Sequence, residues 1–182
     1  MGANVTRVQI TDRDHGYRAR LAAIRKIGQH ILSVGIQGSR AGERHRGSAR
    51  GLSGFAGIVK TAKSLSVGEI AAIHEFGLGG LPQRAWLRGW VDGNASLIRN
   101  TLRNIALRVV GGKLDEVSGL SLAGVKFQGG IQRGIRAGVP PPNAPSTIRR
   151  KGSSTPLVDT GQLRASVTWV VISREVGFNV LR

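Results

Sequence analysis

His74-Glu75 is the pair in this chain whose residue types come nearest to a reaction centre. Zinc proteases set two histidines one helical turn apart with a glutamate between them, so that both imidazoles reach one metal and the carboxylate activates its water. The second histidine is missing, because position 78 is Leu78, and His15, His30 and His45 have no ligand spacing to His74. The pair therefore reads as a helix end whose polar groups orient the next loop. Asp159-Thr160-Gly161 matches the triplet of aspartic proteases, which needs a second aspartate from an equivalent triplet. Here it precedes a helix-forming stretch, so Asp159 and Thr160 read as caps and Gly161 as a point of close approach. Gly77-Leu78-Gly79-Gly80 has neither the Gly-Lys-Ser/Thr ending nor the preceding buried strand of a phosphate loop, and reads as a connector. Trp86 and Trp90, one turn apart, have the spacing to stack on nucleobases, but amphipathic placement makes them core or subunit-interface plugs. No nucleophile, base and orienting group assemble from spacing, so the expectation is a protein that is not an enzyme and needs no metal or cofactor.

Composition narrows the class further. A chain of 182 residues fits one domain with a real core, and 27 glycines with 4% aromatics make that core modest and the turns many. The chain has no cysteine, which removes disulfides and thiolate metal sites. No apolar run reaches signal-peptide or membrane-spanning length, so no membrane association is expected. The 27 Lys and Arg against 10 Asp and Glu give a formal charge of +17, a field that draws polyanions and repels like copies unless acidic partners or DNA screen it. No acid lies between Glu116 and Asp159, whereas Lys126, Arg133, Arg136, Arg149, Arg150 and Lys151 do. A second cluster, Arg40, Arg44, Arg46 and Arg50, sits among Gly and Ser in 38–54 and reads as a mobile basic loop ordered only by a partner. The pairs Arg84/Arg88 and Arg99/Arg103 form rows one turn apart, either a solvated face or a contact for acidic surfaces of neighbouring subunits.

The elements that position these residues follow from periodicity. VTRVQI at 5–10 alternates as a short strand. Asp14 caps a helix whose face of Leu21, Ile24, Ile27 and Ile31 should be buried, leading into a strand at 32–37. Phe55 to Ala62 should return antiparallel to it, with the basic loop at the hairpin tip. Ser66 and Glu69 form a capping box for a helix that Gly77 stops. From Pro82 one long helix is expected, bent at Gly93 and ended at Gly111-Gly112. Another should run from Leu114 to about Gly138, although its glycines cost about 1 kcal/mol each relative to alanine. Pro140-Pro141-Pro142 opens an extended, irregular arm over 137–156. Thr160 caps one or two turns through Ser166, and 167–172 is a strand that closes the sheet. The whole is one α+β domain over 1–182: a small antiparallel sheet packed against two or three helices, with long mobile loops and an extended arm.

Two segments also carry a resemblance. Ala72-Ile73-His74-Glu75-Phe76-Gly77 followed by Leu81-Pro82-Gln83-Arg84-Ala85-Trp86-Leu87-Arg88 resembles the A-x-H-E-F-G, P-x-R-x-F-L-R signature of tail-completion (neck) proteins of tailed bacteriophages, a group that includes virion-morphogenesis and minor-tail proteins. Arg150-Lys151-Gly152-Ser153-Ser154, with Pro156-Leu157-Val158-Asp159-Thr160-Gly161-Gln162-Leu163-Arg164 and Ser166-Val167-Thr168, resembles the same group's K-G-S-S-x-P-L-x-D-T-G-x-L-x-x-S element. Trp86 stands where the group has Phe, which keeps an aromatic plug and changes its size. The resemblance implies a structural virion protein assembled in the bacterial host cytoplasm. It would form a homo-oligomeric ring at the head-tail junction, between the connector or portal-side proteins and a tail terminator or tail-tube protein, with genomic DNA in the channel as a non-specific contact. On this reading Arg84, Trp86, Arg88, Arg149, Arg150, Lys151, Asp159 and Thr160 are candidate subunit-interface residues, beside the basic loop of Arg40, Arg44, Arg46 and Arg50. The alternative is a non-specific nucleic-acid-binding protein, argued by the charge alone.

Overall fold

The computed structural model describes residues 14–44, 46, 65–152, 154–157 and 160–174. Eight helices and two strands occur among them: α1 (Tyr17–Ile27), β1 (His30–Ile36), α2 (Ser39–Gly42), α3 (Val67–Phe76), α4 (Arg88–Gly93), α5 (Ala95–Val110), α6 (Glu116–Ala137), α7 (Pro145–Lys151), α8 (Gln162–Ser166) and β2 (Val167–Ser173). The fold is α+β, with a two-stranded antiparallel sheet against helices. β1 pairs with β2 in a register running from His30 opposite Ser173 to Ile36 opposite Val167. The expected strands at 5–10 and 55–62 lie outside the described residues; within them, the chain's two ends of the ladder come from opposite parts of the sequence.

Period-two alternation puts Leu32, Val34, Ile36, Val167, Trp169 and Val171 on one face of this sheet. That face lies on α6, where the Gln128 and Gln132 amides donate to the Val167 carbonyl at 2.8 and 3.3 Å. The helix starts at Glu116, two residues after the expected Leu114, with the Asp115 carboxylate accepting the Ser118 N–H at 2.9 Å. Its glycines, read from the sequence as weaknesses, are seats for large side chains. A Cβ at Gly124 would lie 2.6 Å from Trp169, one at Gly130 2.3 Å from Trp90, and one at Gly119 2.6 Å from Ile105. Trp90 also tilts against Phe127, with ring centroids 6.1 Å apart.

α3 opens on the expected capping box. The Ser66 hydroxyl accepts the Glu69 N–H, and the Glu69 carboxylate accepts the Ser66 N–H at 2.7 Å. Gly77 ends it in the left-handed region, and a side chain there would collide with Gln83, whose backbone nitrogen would be 2.8 Å from the Cβ. The long helix expected from Pro82 begins only at Arg88 and is divided at Asn94, whose side-chain amide donates to the Trp90 carbonyl. The buried face expected of α1 is only partly covered by described residues: Leu21 is half-buried, while Ile24 is 53% exposed and Ile31, already in β1, 45%. The core joins Leu65, Ile70, Ala71, Ile73, Trp86, Ile131, Ile135, Leu163 and Val167, with Val34, Ile36, Trp90 and Leu157 packed on it.

Candidate functional site

The first signature segment folds back on itself through the polar groups of its own motif. Glu75 is buried, and its two carboxylate oxygens accept the N–H groups of Leu87 at 2.9 Å and Arg88 at 3.1 Å. A negative charge at the start of α4 meets backbone donors that have no partner within that helix, and the bonds are charge-assisted. The His74 carbonyl accepts the Arg84 N–H at 2.7 Å, and the Glu75 carbonyl accepts the Gln83 amide at 3.1 Å. His74-Glu75 thus orients the following loop, and among the described residues no group of three or more His, Cys, Asp or Glu gathers as a metal site.

Arg84 and Trp86 are spent inside the subunit, which corrects their reading as interface residues. Trp86 is 5% exposed and donates its indole N–H to the Ala71 carbonyl at 3.0 Å. Arg84 is 6% exposed and holds the Pro-rich segment, donating to the carbonyls of Pro141 at 3.0 Å and Pro142 at 3.3 Å and to the Asn143 side chain at 3.4 Å. Burial pulls its guanidinium below the ordinary arginine pKa. Nor does it form a row with Arg88, because it precedes the helix that Arg88 opens. Arg88 itself is exposed.

The second segment meets the first in the same core. Leu163 and Val167 are buried against Ile73 and Trp86, Leu157 packs beside them, and Pro156 is buried. Asn143 donates to the Ser154 carbonyl, tying the two ends of the arm together. The arm is therefore not irregular throughout: Pro145 at the first position opens α7, which Gly152 closes in the left-handed region. Arg149 is exposed on α7, whereas the side chains of Arg150 and Lys151, and all of Asp159, lie outside the described residues. Thr160 is exposed, and its hydroxyl accepts the Gln162 N–H at 3.3 Å while Gly161 occupies the cap position of α8.

The start of the basic loop is held by its own subunit rather than by a partner, a second correction. Arg40 donates to the Ala165 carbonyl at 3.0 Å, and the Gln162 side chain bridges the Arg46 N–H and the Arg44 carbonyl. The Glu43 carbonyl accepts the Val67 N–H at 2.8 Å, docking the segment on α3. Arg50 lies outside the described residues.

Sequence spacing missed the contact of His30 with Glu116, whose Nδ1 and Oε1 lie 2.5 Å apart across 86 residues, because no local pattern links a strand start to a distant helix start. Of the uses of the acids it anticipated the bonds of Asp14 and Glu69 and the orienting role of Glu75, and missed the cap at Asp115. Asp14, Glu69, Glu75 and Asp115 each accept backbone N–H groups at a helix start, and Glu116 sits in the first turn of α6. Among the side chains described, no Lys or Arg nitrogen lies within 4.0 Å of a described carboxylate oxygen, and His30 pairs with Glu116. No described helix is long and apolar enough to cross a membrane. Comparison with protein-family models, with curated proteins and with solved structures finds no match for this chain.

Proposed function

We propose that this chain is a structural subunit of a tailed bacteriophage particle, a tail-completion or neck protein that forms a ring with copies of itself between the portal side of the head and the tail tube. The observation that carries this reading is the meeting of the two signature segments in one core, Ile73 and Trp86 from the first with Leu163 and Val167 from the second. Residues that resemble a family's signature at 69–92 and 144–169 are spent on one framework: Glu75 fixes the entry to α4, and Arg84 fastens the segment that leads to α7. Their polar groups hold backbone, as a part whose work is to present surfaces requires, and no covalent step enters the proposal. The surfaces offered to neighbours are then Arg88, Arg149 and Thr160, with connector and tail-tube proteins as partners in the virion. The test is complementation. A phage lacking this gene should accumulate filled heads beside separate tails, and joined, infectious particles in its absence would overturn the proposal. A second reading, non-specific nucleic-acid binding, is favoured by the arginines that no described carboxylate neutralises.

A further inference from the structure

We infer that the layer formed by α1 and α5 is a docking surface for the phosphate backbone of duplex DNA. The two helices pack against each other. Their sequences, YRARLAAIRKI and ASLIRNTLRNIALRVV, contain no Asp or Glu, and Arg18, Arg20, Arg25, Arg99, Arg103 and Arg108 are all exposed. On α5, Arg99 and Arg103 lie one turn apart, about 6 Å along the axis, and on α1, Arg18 and Arg25 lie two turns apart, about 10 Å. Both pairs therefore project from a single face of their helix, on the scale at which a duplex presents its phosphates.

Among the described side chains, no carboxylate oxygen lies within 4.0 Å of the nitrogens of these arginines. Asp14, which caps α1, is bonded to the Arg18 backbone rather than to its guanidinium, and Asp115 and Glu116 are engaged by Ser118 and His30. Helix faces that carry the guanidinium groups of Arg18, Arg25, Arg99 and Arg103, on helices without an acid, suit a dense polyanion. Guanidinium is also the cation whose planar donors match phosphate oxygens in pairs. Asn100 and Asn104, exposed between the α5 arginines, add neutral donors of the kind that contact phosphates. An acidic protein partner is the competing occupant, since Ile24 and Leu107 on the same helices are exposed. Protein interfaces, however, gather charge at the rim around an apolar centre, and here the cations run the length of both helices. Binding to such a surface is independent of base sequence, and it does not rest on the ring reading.

The experiment is a salt titration of the full chain on a short, labelled duplex of mixed sequence, followed by anisotropy. The variant carries Arg18→Gln, Arg25→Gln, Arg99→Gln and Arg103→Gln; its counterpart carries lysine at the same four positions. With about 0.9 unit of logarithmic slope per phosphate contact, the glutamine variant should lose about 3.6 units and the lysine variant should keep most of the slope. Equal loss in both would assign the effect to damaged folding and overturn the inference. Removing Arg133 and Arg136, two exposed arginines of α6 outside the layer, should change the slope far less; an equal loss per charge would mean that only net charge acts. Failure of the unaltered chain to bind duplex, or polyglutamate binding as tightly as duplex, would also overturn it.

Discussion

Replacing Gly130 by alanine sets two effects of opposite sign against each other. In a helix interior alanine is favoured over glycine by about 1 kcal/mol, so propensity alone makes Gly130→Ala stabilising. The added Cβ would stand 2.3 Å from Trp90 Cζ2 and 2.9 Å from Cε2, both ring atoms of a side chain packed on the core. An indole cannot yield by rotating one bond without leaving Phe127, and overpacking of this kind costs about 1 to 3 kcal/mol or more. With the Cβ more than 1 Å inside ordinary contact, the upper part of that range applies, and the net is a loss of about 2 kcal/mol, or about 4 to 8 °C in melting temperature. Gly129 is the internal control. Its Cβ would meet nothing closer than the flexible end of Arg133 at 3.4 Å, so Gly129→Ala should gain about 0.5 to 1 kcal/mol. Urea denaturation of both variants reads the difference. Gly130→Ala as stable as the parent, or Gly129→Ala and Gly130→Ala shifting in the same direction, would refute the packing argument. Combining Gly130→Ala with Trp90→Phe should recover part of the loss, because the clashing ring atoms are removed.

Arg84→Met should destabilise by about 1 to 3 kcal/mol in thermal unfolding, because the carbonyls of Pro141 and Pro142 lose their donor, and a variant melting like the parent would show that water replaces it. Trp86→Ala should cost about 3 to 5 kcal/mol as true core, while a shift under a degree would mean the indole is dispensable. The Glu69 carboxyl is held below its ordinary range by the Ser66 N–H and then the Ser66 hydroxyl. A depressed folded pKa contributes stability above the ordinary carboxylate range and loses it as pH falls through the folded value. The advantage of the parent over Glu69→Gln, about 0.5 kcal/mol at neutral pH, should therefore vanish in acid, and an advantage constant with pH would contradict this.

Local chemistry was legible in the residues themselves. Ser66 and Glu69 announce their reciprocal bonds, Gly77 its left-handed stop, and the β-branched run at 167–172 its strand, because each depends on neighbours a few positions away. Pairing was not: β1 and β2 meet across some 130 residues of chain, which periodicity does not encode, while the strand expected at 55–62 lies outside the described residues. The glycines of α6 looked like a propensity deficit since propensity counts only the helix, whereas their use is to admit Trp90, Trp169 and Ile105 from elsewhere. Arg84 was misjudged for a related reason. Counting turns from Pro82 placed it on an exposed row, but 81–85 are not helical, the helix opens only at Arg88, and the Arg84 side chain is buried. α7 was hidden within a Pro- and Gly-flanked stretch because a Pro at the first helical position reads as readily as a breaker.

The proposed ring, in which copies of this chain join head to tail, is open to direct imaging. Negative-stain imaging of the purified protein, alone and mixed with a phage tail-tube protein, tests the proposed ring. The expected result is closed rings of one size seated at the ends of tubes; single subunits beside bare tubes, at low and at moderate salt alike, would contradict it.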